Sequence, residues 1–239
     1  MLYGSDLAHI HASGFTGFAT GAVPEIVRRL RCATIPVRSV VDLGCGAGTL
    51  SAALVAAGFA VTGIDSSTEF VSLARAAVPD ARFIHASIYE AALPPCEAIV
   101  AIGEPLTYHE AGADADSLVL GLLARTAELL PPGGRLIFDI IGLGEPSLSG
   151  RSWHSGEDWA VLLETAEDHV TRTLVRRIET FRRVGSLYRR GHEIHNVRLF
   201  DIEDLRRQAA AHGFAVVVSE AYGEYPLPPR RHAFFCTRI

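Results

Sequence analysis

Lysine is absent from this 239-residue sequence, so all 22 of its basic side chains are arginine. The absence excludes every mechanism that needs a lysine nucleophile or a lysine Schiff base. Cysteine is sparse: the four residues are scattered, with no Cys-x-x-Cys pair and no histidine at ligand spacing. We therefore expect reduced, mostly buried thiols. No arrangement of Asp, Asn or His suggests a catalytic metal either.

Long apolar runs and an excess of positive charge are missing as well. No window approaches the length of a membrane span, and Asp6, His9 and His11 stand where a signal peptide would be apolar. We therefore expect a cytoplasmic protein with no membrane partner. The net charge of −5 disfavours nucleic acid as a partner, because its phosphates demand a basic surface.

What the sequence does contain is a predicted strand that runs into a glycine turn. The strand ends at Leu43, and Gly44, Gly46 and Gly48 follow at alternate positions. Glycine lacks the Cβ atom that would keep a ligand away from the backbone of such a turn. The next predicted strand, residues 60–64, leads directly into an acidic residue. This order of elements predicts a nucleoside site of the Rossmann-like kind.

The acidic residues of this region narrow the choice of ligand. Asp65 follows the second strand, and its carboxylate can accept hydrogen bonds from both hydroxyls of a ribose. The turn has the spacing G-x-G-x-G, whereas dinucleotide binders have G-x-G-x-x-G. Asp42 precedes the first glycine by two positions. That carboxylate disfavours an anion close by and suits a ligand with a cationic amino group.

The segment Asp-Leu-Gly-Cys-Gly-Ala-Gly, residues 42–48, resembles motif I of the class I methyltransferases, which use S-adenosylmethionine. Gly-Ile-Asp-Ser-Ser, residues 63–67, resembles their ribose-binding segment. Residues 96–103 and 130–138 look like their fourth and fifth strands, and the resemblance covers nearly the whole chain. It implies transfer of a methyl group from S-adenosylmethionine to a small-molecule acceptor by in-line displacement, with S-adenosylhomocysteine as the product. The acceptor atom stays open among N, O and C.

The resemblance also implies how the cofactor lies. Residues 42–48 would face its methionine part, Asp65 its ribose, and Gly103 and Glu104 its sulfonium end. Ser87 stands where many relatives carry an aspartate that binds the adenine amino group, so either Ser87 or backbone groups must serve. The full set of expected cofactor contacts is Asp42, Gly44, Cys45, Gly46, Gly48, Asp65, Ser66, Ser67, Ser87, Ile88, Gly103 and Glu104.

The alternation of strands and helices predicts an α/β fold: a Rossmann-like, mostly parallel seven-stranded sheet with helices on both faces. We assign residues 39–141 and 201–239 to this core. Residues 142–200 would form a small antiparallel β insertion after strand five, acting as a lid over the substrate pocket. Residues 1–38 would form an N-terminal flap without regular helix, followed by a helix that begins at Pro24.

Substrate-pocket candidates come from the flap, from the segment after strand four and from the insertion. They are His11, Phe18, Tyr108, His195 and Arg198. The last two belong to a Glu-x-His-x-x-Arg-x-aromatic segment similar to ones that precede the penultimate helix in small-molecule methyltransferases. In a strand these two side chains point to opposite faces, so at most one reaches the pocket. No residue that could act as a general base has a second residue at a spacing that would identify a catalytic pair. The sequence therefore assigns no catalytic residue.

Seven arginines crowd the insertion: Arg172, Arg176, Arg177, Arg182, Arg183, Arg189 and Arg190. We interpret them as charges that protect the exposed strands of a small sheet from edge pairing. An anionic acceptor or RNA is the functional alternative. An RNA methyltransferase therefore stays open. A non-catalytic S-adenosylmethionine-binding protein also stays open, because methyl transfer requires no obligatory catalytic residue that the sequence could reveal. An NAD(P)-dependent reductase is disfavoured, because the third glycine is misplaced and no Tyr-x-x-x-Lys pair exists.

Overall fold

The computed structural model describes residues 3–110 and 112–239. Its strands are β1 (Ser39–Leu43), β2 (Ala60–Asp65), β3 (Arg82–His85), β4 (Ala98–Ala101), β5 (Tyr108–His109), β6 (Arg135–Ile141), β7 (Gly150–Ser155), β8 (Trp159–Asp168), β9 (Thr173–Val184), β10 (Leu187–Arg198), β11 (Phe214–Ser219), β12 (Ala221–Tyr222), β13 (Tyr225–Pro226) and β14 (Arg231–Arg238). Seven of them form the central sheet in the order β3-β2-β1-β4-β6-β14-β11, and only β14 runs antiparallel to its neighbours. The predicted fold class is confirmed.

The helices are α1 (Ser5–Gly14), α2 (Gly17–Arg31), α3 (Thr49–Ala56), α4 (Thr68–Ala77), α5 (Ala115–Leu129) and α6 (Ile202–Ala211), with a 3₁₀ turn at Pro105–Thr107. Two helices begin with a side-chain cap: Ser67 accepts from the amide of Phe70 at the start of α4, and Asp201 accepts from that of Asp204 in α6. Within the described residues, no helix combines the length and the apolar character needed to cross a membrane.

Alternate residues of β1 pack on the two faces of the central sheet. Val41 and Leu43 belong to the core cluster that contains residues of α5 and α6. Val40 belongs to the opposite cluster, which contains residues of α2 and α3. Because both faces are covered, the buried part of the strand, residues 40–43, is apolar except at Asp42. Because β1 is packed on both faces, the position in the sheet at which it ends and the glycine turn begins is fixed.

A second sheet is antiparallel and has the order β5-β10-β9-β8-β7. β7 to β10 follow β6 in the chain, while β5 joins from the segment after β4. The turn Gly185–Ser186 connects β9 and β10 into a hairpin. β7 lies within residues 142–156, a segment rich in Gly, Pro and Ser that is typical of a linker and not of a strand. All six residues of β7 are exposed, so no apolar alternation marks the strand.

The N-terminal segment corrects two predictions. It is helical over α1 and α2, where we expect no regular helix before Pro24, and Pro24 lies inside α2 instead of at its start. α1 buries Leu7 and Ile10 in a cluster with Trp159 and Ile178 of the antiparallel sheet. The apolar face of α1 is therefore satisfied by residues more than a hundred positions away, which local periodicity does not reveal.

Candidate functional site

A cleft of about 1290 Å³ opens at the carboxyl ends of β1, β2 and β4 and is also bordered by β8, β9 and β10. Ligand pockets commonly measure roughly 300–1,000 Å³, so the cleft has room for two small molecules side by side. Of the residues predicted from the sequence, it brings together His11, Phe18, Asp42, Gly44, Cys45, Gly46, Asp65, Ser66, Ser87, Ile88, Gly103, Glu104, Tyr108 and His195.

The carboxylate of Asp65 is held in place by two backbone amides. Its Oδ2 accepts from the amide of Gly46 at 2.9 Å, and its Oδ1 accepts from that of Ser67 at 2.8 Å. Burial raises the pKa of Asp65, while these amide bonds oppose the rise. Each carboxylate oxygen can accept a second hydrogen bond, because it carries two lone pairs. The side chain is therefore fixed in orientation and still able to bind a pair of hydroxyls.

Asp42 is a buried carboxylate, with only 2% of its surface exposed. Its Oδ2 accepts from the hydroxyl of Ser51 at 2.6 Å. Burial raises the pKa of Asp42 to about 7; the Ser51 bond opposes this and the charge of Asp65 adds to it. A ligand with a positive charge would stabilise the ionised form of Asp42.

The three glycines of the turn have different structural roles. Gly44 has a φ of +71°, and a Cβ there would lie 2.4 Å from Cβ of Pro105. A Cβ on Gly46 would meet no atom within 4 Å, so the space over its backbone is open to a ligand. Gly48 is not among the residues that line the cleft. A Cβ at Gly48 would come within 3.3 Å of Ala74, so this glycine lets the start of α3 pack on α4.

Two further predicted residues lie outside the cleft lining. Ser67 caps α4, and its hydroxyl donates to the carbonyl of Tyr3 at 2.9 Å. Arg198 donates to Asp116 of α5, with 2.9 Å between Nε and Oδ1. His195 does border the cleft. Of these two residues of β10, His195 therefore borders the cleft, and Arg198 is hydrogen-bonded to α5.

Glu104 forms a buried ion cluster that the sequence does not reveal. Its carboxylate is 4% exposed and accepts hydrogen bonds from both Arg176 and Arg231. Burial raises the pKa of Glu104, but the two guanidinium charges outweigh it and hold that pKa below its usual value. The expectation of edge protection is wrong for Arg176: it lies in β9, an inner strand of the antiparallel sheet, and faces the cleft.

Asp139, in the middle of β6, shapes the backbone beside this cluster. Its carboxylate accepts from the amides of Gly103 and Glu104, each at 2.8 Å, and from the hydroxyl of Tyr222 at 2.9 Å. These bonds hold Glu104 at a φ of +63°, which is uncommon outside glycine. Burial raises the pKa of Asp139 to about 6, against the charge of Arg231. In the sequence, Asp139 can be recognised as an acidic residue inside an apolar strand.

Aromatic hydroxyls extend the cluster into the cleft. The hydroxyl of Tyr108 accepts from Arg176 at 2.8 Å and lies 3.2 Å from the hydroxyl of Tyr3. His11 also borders the cleft, and burial lowers its pKa to about 4, so its ring is uncharged at neutral pH. In residues 3–110 and 112–239, no group of three or more His, Cys, Asp or Glu side chains is placed to hold a metal ion.

Comparison with known proteins gives matches at the level of sequence and of fold. Residues 40–134 match the family model described as a methyltransferase domain. The putative methyltransferase YqeM of Bacillus subtilis is 26% identical over 221 residues, which cover 89% of this chain and 83% of YqeM.

Among solved structures, an S-adenosylmethionine-dependent methyltransferase from Clostridium acetobutylicum superimposes with a TM-score of 0.79 at 18% identity, covering 97% of each chain. CalS10 from Micromonospora echinaspora, an amino pentose methyltransferase solved with S-adenosylmethionine bound, superimposes with a TM-score of 0.76 at 18% identity. That match covers 100% of this chain and 99% of CalS10. At these identities the two structures are similar to this chain in fold.

Proposed function

We propose that this chain is a class I methyltransferase and that it transfers the methyl group of S-adenosylmethionine to a small-molecule acceptor by in-line displacement, on the support of its matches to the methyltransferase-domain family model and to YqeM. The observation that carries the proposal is the pairing of two buried carboxylates, Asp42 and Asp65, beside the open backbone of Gly46. S-adenosylmethionine carries an ammonium and a sulfonium charge and a ribose diol, so its parts suit these groups. It supplies an activated methyl group and its own leaving group.

The chain's own residues would bind and orient. Asp65 would accept the two ribose hydroxyls, Asp42 would stabilise the ammonium group, and Ser87 with Ile88 would border the adenine. The backbone of Gly46 allows close approach, since a Cβ there would meet no protein atom within 4 Å. We also propose that residues 142–200 act as a lid: β8, β9 and β10 border the same cleft and would exclude water while the acceptor is aligned with the methyl–sulfur bond.

The test is thermal unfolding with S-adenosylmethionine, S-adenosylhomocysteine or NADH, because a ligand that binds only the folded state raises Tm. At a hundredfold excess over Kd we expect both adenosyl compounds to raise Tm by about 5–10 °C. Asp65→Ala should lose this response, whereas Asp80→Ala, at an exposed position after α4, should keep it. A response to NADH alone would overturn the proposal.

Catalysis itself needs a separate measurement, since a binding protein without activity would pass the thermal test. With radiolabelled methyl donor and a panel of small amines, phenols and thiols, we expect labelled product and S-adenosylhomocysteine in equal amounts. Labelling of bulk RNA that weakens steeply with salt would instead favour an RNA substrate.

A further inference from the structure

The cleft has more acidic than basic side chains. Its two guanidinium groups, Arg176 and Arg231, both donate to Glu104 and are neutralised in part by it. The charged residues that line the cleft are Asp42, Asp65, Glu90, Glu104 and Glu110 against Arg176 and Arg231. This balance opposes an anionic acceptor and favours a cationic one.

Aromatic rings cluster at one part of the cleft, around Tyr3. The ring centroids of Phe70, His195, His11 and Tyr108 lie 4.8, 5.0, 5.4 and 6.3 Å from that of Tyr3. All five side chains border the cleft. His11 adds no positive charge, because burial lowers its pKa to about 4. The tyrosine and phenylalanine rings of this cluster attract an ammonium group through their electron-rich faces.

His195 offers the cluster an unused acceptor atom. It is fully buried, and its Nε2 lies 2.8 Å from Oε2 of Glu193. Glu193 also accepts from the amides of Tyr3 and Gly4, at 2.8 and 2.9 Å, so its position is fixed. A carboxylate accepts only, which assigns the ring proton to Nε2. In the neutral ring Nδ1 then carries a lone pair, and among the described residues it has no hydrogen-bond partner.

We propose that the acceptor is an amine on a small molecule and that His195, oriented by Glu193, takes up the proton that the ammonium form of this amine must lose. The inference rests on the proposed methyltransferase function. One N–H proton passes from the ammonium group to Nδ1 of His195, which frees the nitrogen lone pair. The nitrogen then forms a bond to the methyl carbon while the carbon–sulfur bond breaks and leaves its electron pair on sulfur. The product keeps its charge as a methylammonium group, and the proton on His195 leaves to solvent.

Two probes of nearly equal shape test the acceptor class: cyclohexylamine, which is an ammonium ion at pH 7, and cyclohexanol, which is neutral. Titration calorimetry on the protein saturated with S-adenosylhomocysteine should give a Kd about tenfold lower for the amine. Tyr3→Phe should keep the preference, since the ring remains, and Tyr3→Leu should reduce it. Equal affinity for the two probes, or measurable affinity for neither, would overturn the amine assignment. A failure of S-adenosylhomocysteine to bind would count against the methyltransferase function instead.

NMR of the imidazole ¹⁵N resonances, recorded on the protein saturated with S-adenosylhomocysteine, tests the role of His195. We expect a protonated Nε2 and an unprotonated Nδ1, and a change of the Nδ1 resonance on addition of cyclohexylamine. His192 is the matched internal control: it lies on the opposite face of β10 and pairs with Glu179 at 2.7 Å, outside the cleft lining. Its resonances should not respond to the amine. A proton on Nδ1 of His195 before the amine is added, or equal responses of His192 and His195, would overturn the assignment.

Discussion

The hydroxyl of Ser67 donates a hydrogen bond to the main-chain carbonyl of Tyr3, with 2.9 Å between the oxygens. Ser67 lies two positions after Asp65, and the amide of Tyr3 donates in turn to Glu193 of β10. The N-terminal segment therefore connects the expected ribose-binding loop with the antiparallel sheet. Any ligand that orders the loop should also order the segment that covers the cleft.

Ser67→Ala should loosen α1 as well as α4. The change removes the cap of α4 and costs about 1 kcal/mol of stability, and it also removes the bond to Tyr3. We expect amide hydrogen exchange in α1 to become about fivefold faster, which corresponds to the loss of one hydrogen bond. Asp114→Ala is the control, because it removes the cap of α5 without touching the N-terminal segment. Unchanged exchange in α1 would show that the Ser67 contact does not hold the segment.

Glu104→Gln should destabilise the protein strongly. The substitution leaves the buried guanidinium groups of Arg176 and Arg231 without their carboxylate, and breaking a buried ion pair costs about 3–5 kcal/mol. Glu164→Gln provides the comparison, since Glu164 also bonds two arginines but its side chain is 42% exposed. For that variant we expect at most about 1 kcal/mol. Urea unfolding of both variants measures the difference, and equal losses would contradict the importance of burial.

The part of the cleft around the glycine turn could be predicted from the sequence because its parts are local. β1, the glycine turn and Asp65 lie within 27 consecutive residues, and both strands are marked by apolar runs. The part of the cleft around Glu104 and Tyr3 could not be predicted, because its contacts span the chain. Arg176 meets Glu104 across 72 positions, and Glu193 meets the amide of Tyr3 across 190. An arginine on a sheet and an arginine in a buried cluster have the same local sequence pattern.

The stability of the protein should depend on the ionisation of Asp42. Its ordinary pKa is 3.8, and in the folded protein it is about 7. Between these values the folded state binds more protons than the unfolded state, so stability falls as pH rises from about 4 to about 7 and then levels off. Asp42→Asn cannot ionise and lacks this dependence. The unfolding free energy of the wild type relative to Asp42→Asn should therefore fall by an amount on the order of 4 kcal/mol over this range. Parallel pH profiles of the two proteins would contradict the prediction.

Gly44→Ala should remove both stability and cofactor binding. Alanine at a φ of +71° is strained by about 1–2 kcal/mol, and its Cβ would also lie 2.4 Å from that of Pro105. Gly58→Ala separates the two effects: Gly58 has a φ of +94°, but a Cβ there would meet no atom within 4 Å, and it does not line the cleft. We expect the control to show the strain alone, with the Kd for S-adenosylhomocysteine unchanged. Gly44→Ala should unfold at a lower denaturant concentration than the control and bind S-adenosylhomocysteine at least about tenfold more weakly, because relief of the clash moves Pro105 and the cleft wall that it forms. Equal Kd values for the two variants would show that the packing of Gly44 on Pro105 does not shape the cofactor end of the cleft.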